Sequence, residues 1–294
     1  MPLPVTQRLR RSLLITPGDR PERIAKSATL DADGVVLDLE DGVGPEQKAA
    51  ARTAIAEALA TIDFGRRERI VRVNAVGTDE HEADLATLDI SRLDSVFVPK
   101  VEDPEQLTRL AIWLDEAEQR QRRPHPVEII TTIETPRGLL QALPIASATT
   151  RTTALFFGSG DYTAATGSAV TERSLAVPRA LIVAAAAAQR IEAIDAAYFV
   201  AVKDTAATEA DALVARELGF SGKLVFHPSQ IAVANAVFTP SIAEIARAQR
   251  IRKAYDEARQ NGRGTAFVDG EFIAVDIAIM AERTLARAHL AGLA

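Results

Sequence analysis

Glu134 closes the apolar run VEIITTI (127–133), and Asp161 follows the run ALFFG (154–158) across a short glycine-bordered turn. A third acidic run, Asp38-Leu39-Glu40-Asp41, ends the segment DGVVLDLE (33–40) in the same way. All three segments are rich in Val, Ile, Leu or Phe, the composition of buried strands. A carboxylate at such an end is costly to desolvate unless a cation or hydrogen bonds compensate it. When helices separate the strands, strand ends of one polarity gather on one face, where α/β folds keep their active sites. Three acidic strand ends therefore point to a metal-centred site.

Hard cations such as Mg2+ take only one or two protein carboxylates, with waters and substrate oxygens completing the shell. Glu134 and Asp161 meet that requirement, without the histidine or cysteine cluster that would suggest zinc. Gly158 and Gly160 flank Ser159, and a turn of this kind exposes backbone N–H groups that can hold a carboxylate. Taken singly, each acid serves equally well as a cap for the helix that follows. Arg72 closes the third strand, where a guanidinium would clamp an α-keto carboxylate through paired hydrogen bonds. A salt bridge to the nearby acids is its alternative role, and the two are compatible.

Other candidates are weaker. Lys100 follows Val98-Pro99, Asn74 reads as a strand terminator, and His227 in FHPSQ has no partner acid evident from spacing. His81, His125 and His289 are assigned no role. No GxSxG stands between a strand and a helix, and no Walker sequence is present.

The chain has 294 residues, 47% hydrophobic and 25% charged, an ordinary globular composition with room for one large α/β barrel or two smaller domains. A net charge of −6 argues against non-specific nucleic-acid binding, although the 34 Lys and Arg leave room for a local phosphate pocket. The absence of cysteine excludes disulfides and thiolate chemistry. MPLPVTQRLRRSLLI has no long apolar core and no small-residue cleavage site, so no signal peptide is expected. The alanine-rich stretch near 175–188 is too short and too interrupted by arginine to span a bilayer, and reads as a close-packed helix. A cytoplasmic protein is expected, with no membrane and no nucleic-acid partner.

These residues need elements to position them. Strands are expected at 11–16, 33–40, 69–74, 95–100, 127–134, 152–158, 196–200 and 222–227, and helices at 20–30, 45–60, 104–120, 137–146, 176–193, 208–218 and 229–237. A short helix around Asp84, Leu85 and Leu88 fills the remaining gap. Eight strand–helix units in this length predict a (β/α)8 TIM barrel, in the α/β class, over residues 1–240. A doubly wound sheet is the alternative, but no GxGxxG follows the first strand. Residues 241–294 read as a C-terminal helix–hairpin–helix extension, with turn signals Asn261-Gly262 and Asp269-Gly270, suited to a lid or a subunit contact.

With these motifs in place, the chain resembles the citrate lyase beta-subunit-like family of the HpcH/HpaI aldolase/citrate lyase superfamily, which includes malyl-CoA and citramalyl-CoA lyases. The likeness runs from about Arg11 to Gly270 through RSLLITPGDRPERIAKS, DGVVLDLEDGVGPEQKAAAR, VRVNAVGT, VFVPKVE, IETPRGL, FFGSGDYTAATG, AIDAAY and LGFSGKLVFHPSQIAVANAVFTPS. It implies a barrel that binds Mg2+ and a CoA thioester, with Glu134 and Asp161 as the metal ligands. Arg72 would bind the keto-acid or hydroxyacyl carboxylate, and Asp38, Glu40 and Asp41 would organise metal-bound water and Arg72. Arg11, Arg20 and Lys26 become candidates for the CoA phosphates. A homo-oligomer, trimer or hexamer, is implied, with the C-terminal segment of one subunit reaching a neighbour's site.

One departure stands out. After the hairpin glycine, lyases and thioesterases of this family carry Met-Ile-Asp or Met-Val-Asp, whose aspartate acts as acid or base. Here the segment is Gly270-Glu271-Phe272-Ile273-Ala274-Val275-Asp276, so Ala274 takes that place and Asp276 lies two residues on. The departure argues against thioester hydrolysis, which relies on that aspartate to activate water. The resemblance implies Mg2+-dependent carbon–carbon cleavage of a 3-hydroxyacyl-CoA to an acyl-CoA and an α-keto acid. A CoA-independent 4-hydroxy-2-keto-acid aldolase and a catalytically impaired ligand-binding or regulatory homologue are the alternatives.

Overall fold

The computed structural model describes residues 8–293. Eight parallel strands, β1 (Ser12–Pro17), β2 (Gly34–Asp38), β3 (Glu68–Arg72), β4 (Ser95–Val98), β5 (Glu128–Ile133), β6 (Thr152–Phe157), β7 (Glu192–Asp195) and β8 (Gly222–Val225), pair in chain order. β8 returns to β1 through Ser12↔Lys223, Leu13↔Leu224 and Leu14↔Val225, so the sheet closes on itself. Leu13, Val36, Ile70, Phe97, Ile130, Ala154, Phe156, Ile194 and Leu224, drawn from all eight strands, pack as one buried cluster. A barrel of eight strands is just wide enough for side chains to fill. The (β/α)8 expectation holds.

The helices of this unit are α1 (Pro21–Ser27), α2 (Lys48–Thr61), α3 (Asp79–Thr87), α4 (Pro104–Gln121), α5 (Pro136–Leu140), α6 (Ala142–Ala146), α7 (Ser159–Thr166), α8 (Glu172–Gln189), α9 (Thr205–Leu218) and α10 (Ser229–Phe238). Several begin where local chemistry starts a helix. Pro21, Pro104 and Pro136 occupy first-turn positions, where the missing N–H costs nothing. Asp103 caps α4 in a reciprocal box with Gln106.

Four expectations need correction. The seventh strand is Glu192–Asp195 rather than 196–200, and α8 ends at Gln189 rather than 193, capped by Arg190 in the left-handed region (φ 59°). Two of the four strand residues are acidic, which hides the strand from a hydrophobicity reading. Both are buried because cations meet them. Glu192 lies 3.4 Å from Arg10, which also carries Glu68 (2.7 Å) and Glu128 at the N-terminal mouth. Asp195 pairs with Arg179 of α8 (2.8 Å) and with Lys223 of β8. The helix expected at 137–146 is broken at Gln141 into α5 and α6, and α7 follows β6 directly, where no helix was expected.

Contacts divide the chain into two compact units, Arg10–Asn235 and a second built from residues 236–293 with Arg8 and Leu9. The second unit holds α11 (Ile242–Gln260), β9 (Ala266–Val268), β10 (Glu271–Ile273) and α12 (Val275–Leu290). Asp269 and Gly270, both at positive φ (52° and 82°), make the two-residue turn that joins β9 to β10. Ala248, Ile251, Tyr255, Ile273, Ala278 and Ala281 form this unit's own core. Among the described residues, no helix is long and apolar enough to cross a membrane.

Candidate active site

The C-terminal ends of β2 to β6 bring the acidic strand ends together with Arg72. Asp38 is the last residue of β2 and Arg72 the last of β3, and the two are register partners in the sheet. Arg72 Nε donates to Asp38 Oδ1 and Nη2 donates to Oδ2, both at 2.6 Å, a bidentate pair that fixes the guanidinium plane. Arg72 Nη1 lies 3.0 Å from Glu40 Oε2. Asp38 is fixed in turn by the Glu40 N–H on Oδ1 (2.8 Å) and the Gly42 N–H on Oδ2 (3.0 Å). Burial opposes the charge on Arg72, yet Asp38 and Glu40 raise its pKa above the ordinary arginine value, so it stays cationic.

Glu134 stands one residue beyond β5 and is 4% exposed. Its Oε1 accepts the Lys100 backbone N–H at 2.7 Å. Gly158 makes room for it: a Cβ there would lie 2.5 Å from Glu134 Cβ and 2.6 Å from Oε2. Burial, then the charge of Asp161, push Glu134 up to about 8, against the pull of the Lys100 N–H and Arg72. Asp161 is exposed in the first turn of α7, after Ser159 and Gly160.

Lys100 bridges the two halves of the rim. Its Nζ donates to Glu40 Oε1 (2.5 Å) and Asp41 Oδ2 (3.0 Å). Burial opposes the charge of Asp41, but Lys100 holds its pKa below the usual carboxylate range. Asp38, Glu40, Asp41, Glu134 and Asp161 thus share the rim with two cationic side chains, Arg72 and Lys100.

The donor set fits a hard divalent cation. It is all oxygen, two carboxylates supply it, and an added positive charge would offset the burial and the Asp161 charge that raise Glu134. Among the described residues, no three His, Cys, Asp or Glu side chains converge as a closed cage.

The CoA-phosphate candidates separate. Arg11 precedes β1, so it lies at the opposite mouth, where Nε and Nη2 meet Asp33 at 2.8 and 2.7 Å. The fold therefore does not bring Arg11 to this site. Arg20 follows the β1 loop, whose Gly18 N–H donates to Asp38 O (2.8 Å), and its side chain is 57% exposed beside Asp19. Lys26 is exposed in the last turn of α1, on the outer wall leading away from the rim. His227 turns to its own loop, with Nδ1 2.8 Å from Ser229 Oγ.

Sequence reasoning missed the support beneath the acidic loop. Lys48, 9% exposed, donates its three N–H bonds to Leu39 O (2.6 Å), Glu40 O (2.8 Å) and Asn74 Oδ1 (2.7 Å). Asn74 Nδ2 donates to Asp84 Oδ2 (2.8 Å), and Asp84 Oδ1 accepts from Arg52 Nε (2.7 Å). Lys48 starts α2, where the helix dipole disfavours a cation, and that mismatch was the available signal.

Residues 11–228 match the HpcH/HpaI aldolase/citrate lyase family. The chain belongs to that family. Among its relatives is the (3S)-malyl-CoA thioesterase of Cereibacter sphaeroides, 35% identical over 95% of this chain and 94% of that protein. The human mitochondrial citramalyl-CoA lyase is 33% identical over 94% of this chain and 84% of its own. A crystal structure of protein CitE from Mycobacterium tuberculosis, in complex with magnesium, acetoacetate and coenzyme A, superposes with a TM-score of 0.76. It is 31% identical, and the match covers 96% of this chain and 99% of that one.

Proposed function

We propose that this family member is a Mg2+-dependent carbon–carbon lyase. Its substrate is a 3-hydroxyacyl-CoA of the malyl or citramalyl type, cleaved to an acyl-CoA and an α-keto acid. The observation that carries the reading is the pairing of Glu134, buried and short of a compensating charge, with a guanidinium held flat by Asp38 on the same rim. The ligands of the CitE structure and the names of the relatives support it.

Glu134 and Asp161 would hold Mg2+, which when bound supplies Lewis-acid stabilisation of keto-acid oxygens. Arg72 spends Nε and one Nη2 N–H on Asp38 and sets Nη1 3.0 Å from Glu40, and the N–H groups left over meet the substrate carboxylate. The backbone N–H groups of Ser159 and Gly160, at the start of α7 beside Gly158, add donors for the same carboxylate. Asp38 keeps Arg72 in plane, while Glu40 and Asp41 orient water at the rim. In the cleavage, a base takes the proton of the substrate hydroxyl, the carbon–carbon bond breaks toward the acyl-CoA α-carbon, and that carbon then takes a proton. Arg20 is the candidate for the CoA phosphates.

Exposed Leu140, Val177 and Leu181, on α5 and α8, support a homo-oligomer, as a trimer or hexamer would require. Ala274 favours a second reading, a ligand-binding homologue without turnover, because the N-cap of α12 has no side-chain hydrogen bond or carboxylate. Purified protein is assayed against malyl-CoA and citramalyl-CoA with and without Mg2+. Turnover of either that requires Mg2+ supports the lyase; no turnover of both, with metal binding intact, overturns it.

A further inference from the structure

Four non-glycine residues among those described have positive φ. Arg122 and Arg190 close helices, and Asp269 sits in the hairpin turn, all places where a left-handed residue is routine. Lys100 is different. It follows β4 with φ 53°, and no helix end or hairpin requires that conformation of a residue with a Cβ. Strain held at a functional rim points to a role for the residue that bears it.

The geometry shows what the strain secures. The left-handed turn aims the Lys100 N–H at Glu134 Oε1 (2.7 Å), while the side chain reaches Glu40 (2.5 Å) and Asp41 (3.0 Å). One residue thus ties the carboxylate after β5 to the acidic loop after β2, by main chain on one side and side chain on the other. Glycine would supply the same N–H without strain. Only a long cation supplies the second contact.

We infer that Lys100 is a positioning residue that holds Glu40 and Asp41 away from the bound cation, so that only Glu134 and Asp161 ligate it and its other positions stay open to water and substrate. The inference rests on the metal site proposed above. Without the ammonium, Asp41 loses its ion pair and Glu40 keeps only Arg72, and both face a divalent cation within the same acidic rim. The metal would then bind more tightly while the substrate is shut out.

The test compares wild type with Lys100→Gly, Lys100→Met and Lys100→Arg by calorimetric titration with Mg2+, then with pyruvate at saturating Mg2+, and by thermal unfolding. Expected are Mg2+ affinity several-fold tighter in Lys100→Gly and Lys100→Met, pyruvate affinity about tenfold weaker, and near wild-type behaviour in Lys100→Arg. The melting temperature of Lys100→Gly should exceed that of Lys100→Met, since both lose the ammonium and only glycine relieves the backbone. Weaker or unchanged Mg2+ binding in both truncations overturns the inference, as does a wild type that binds no Mg2+. Wild type that binds Mg2+ but cleaves no hydroxyacyl-CoA defeats the lyase reading alone, and the Mg2+ comparison still decides Lys100.

Discussion

Glu134 and Gly158 occupy one shared space: the carboxylate lies where any side chain on residue 158 would have to go, 2.6 Å from Oε2 to the position of a Cβ. The glycine that follows β6 is therefore part of what seats Glu134 in the proposed metal site. Gly158→Ala should displace Glu134 and weaken Mg2+ binding at least tenfold, with an overpacking cost of about 1–3 kcal/mol. Calorimetry and urea unfolding read the two effects separately. Unchanged Mg2+ affinity in a folded Gly158→Ala protein would show that Glu134 does not need this space.

The proton on Glu134 gives a pH dependence of definite sign. Burial and Asp161 push it up to about 8 from an ordinary 4.5, so between these values the folded metal-free chain holds a proton that the unfolded chain has released. Stability of the metal-free protein should fall as pH rises through that window, by at most about 1.4 kcal/mol per pH unit. Mg2+ competes with this proton, so the melting-temperature gain from Mg2+ should grow from about pH 6 to about pH 9. Glu134→Gln should flatten both trends. A Mg2+ response independent of pH in wild type would remove Glu134 from the ligand set.

Lys48 is expected to matter more than its place at the start of a surface helix suggests. Lys48→Met would leave Leu39 O, Glu40 O and Asn74 Oδ1 without this donor beneath the acidic loop. A cost of about 2–4 kcal/mol follows from buried acceptors left short. The loop that fixes Asp38 and Glu40 should loosen, lowering kcat at least tenfold in the lyase assay. Wild-type stability by urea unfolding, together with wild-type kcat, would show that the loop needs no such support.

The barrel was readable because seven of its strands hold adjacent Val, Ile, Leu or Phe residues, with turn and cap residues between them. β7 was not, because Glu192 and Asp195 look exposed until Arg10, Arg179 and Lys223 are brought to them by other strands and helices. The same limit applies at the site. Strand ends revealed Glu134, Asp38 and Arg72, since position along one element suffices to place them. The contacts of Lys100 and Lys48 depend on where neighbouring strands end and, for Lys100, on an unexpected backbone conformation. Arg11 shows the converse: a basic residue next to the first strand lies at the wrong end of it.

Ala274 is the residue on which the two proposed readings, active lyase and impaired homologue, divide. It is the N-cap of α12, with extended backbone (φ −111°, ψ −173°) and no side-chain hydrogen bond to the first turn. Aspartate is among the best residues for that position, because its carboxylate accepts an otherwise unpaired N–H. Ala274→Asp should therefore stabilise the protein by about 1 kcal/mol whatever its activity. If the chain is impaired for want of an acid or base there, the same substitution should raise hydroxyacyl-CoA turnover by an order of magnitude or more. If wild type already cleaves its substrate at full rate through another group, the stability gain should appear alone. Thermal unfolding and the Mg2+-dependent assay, run on the same pair of proteins, distinguish the outcomes: a large rise in turnover establishes impairment, and strong wild-type turnover left unchanged rules it out.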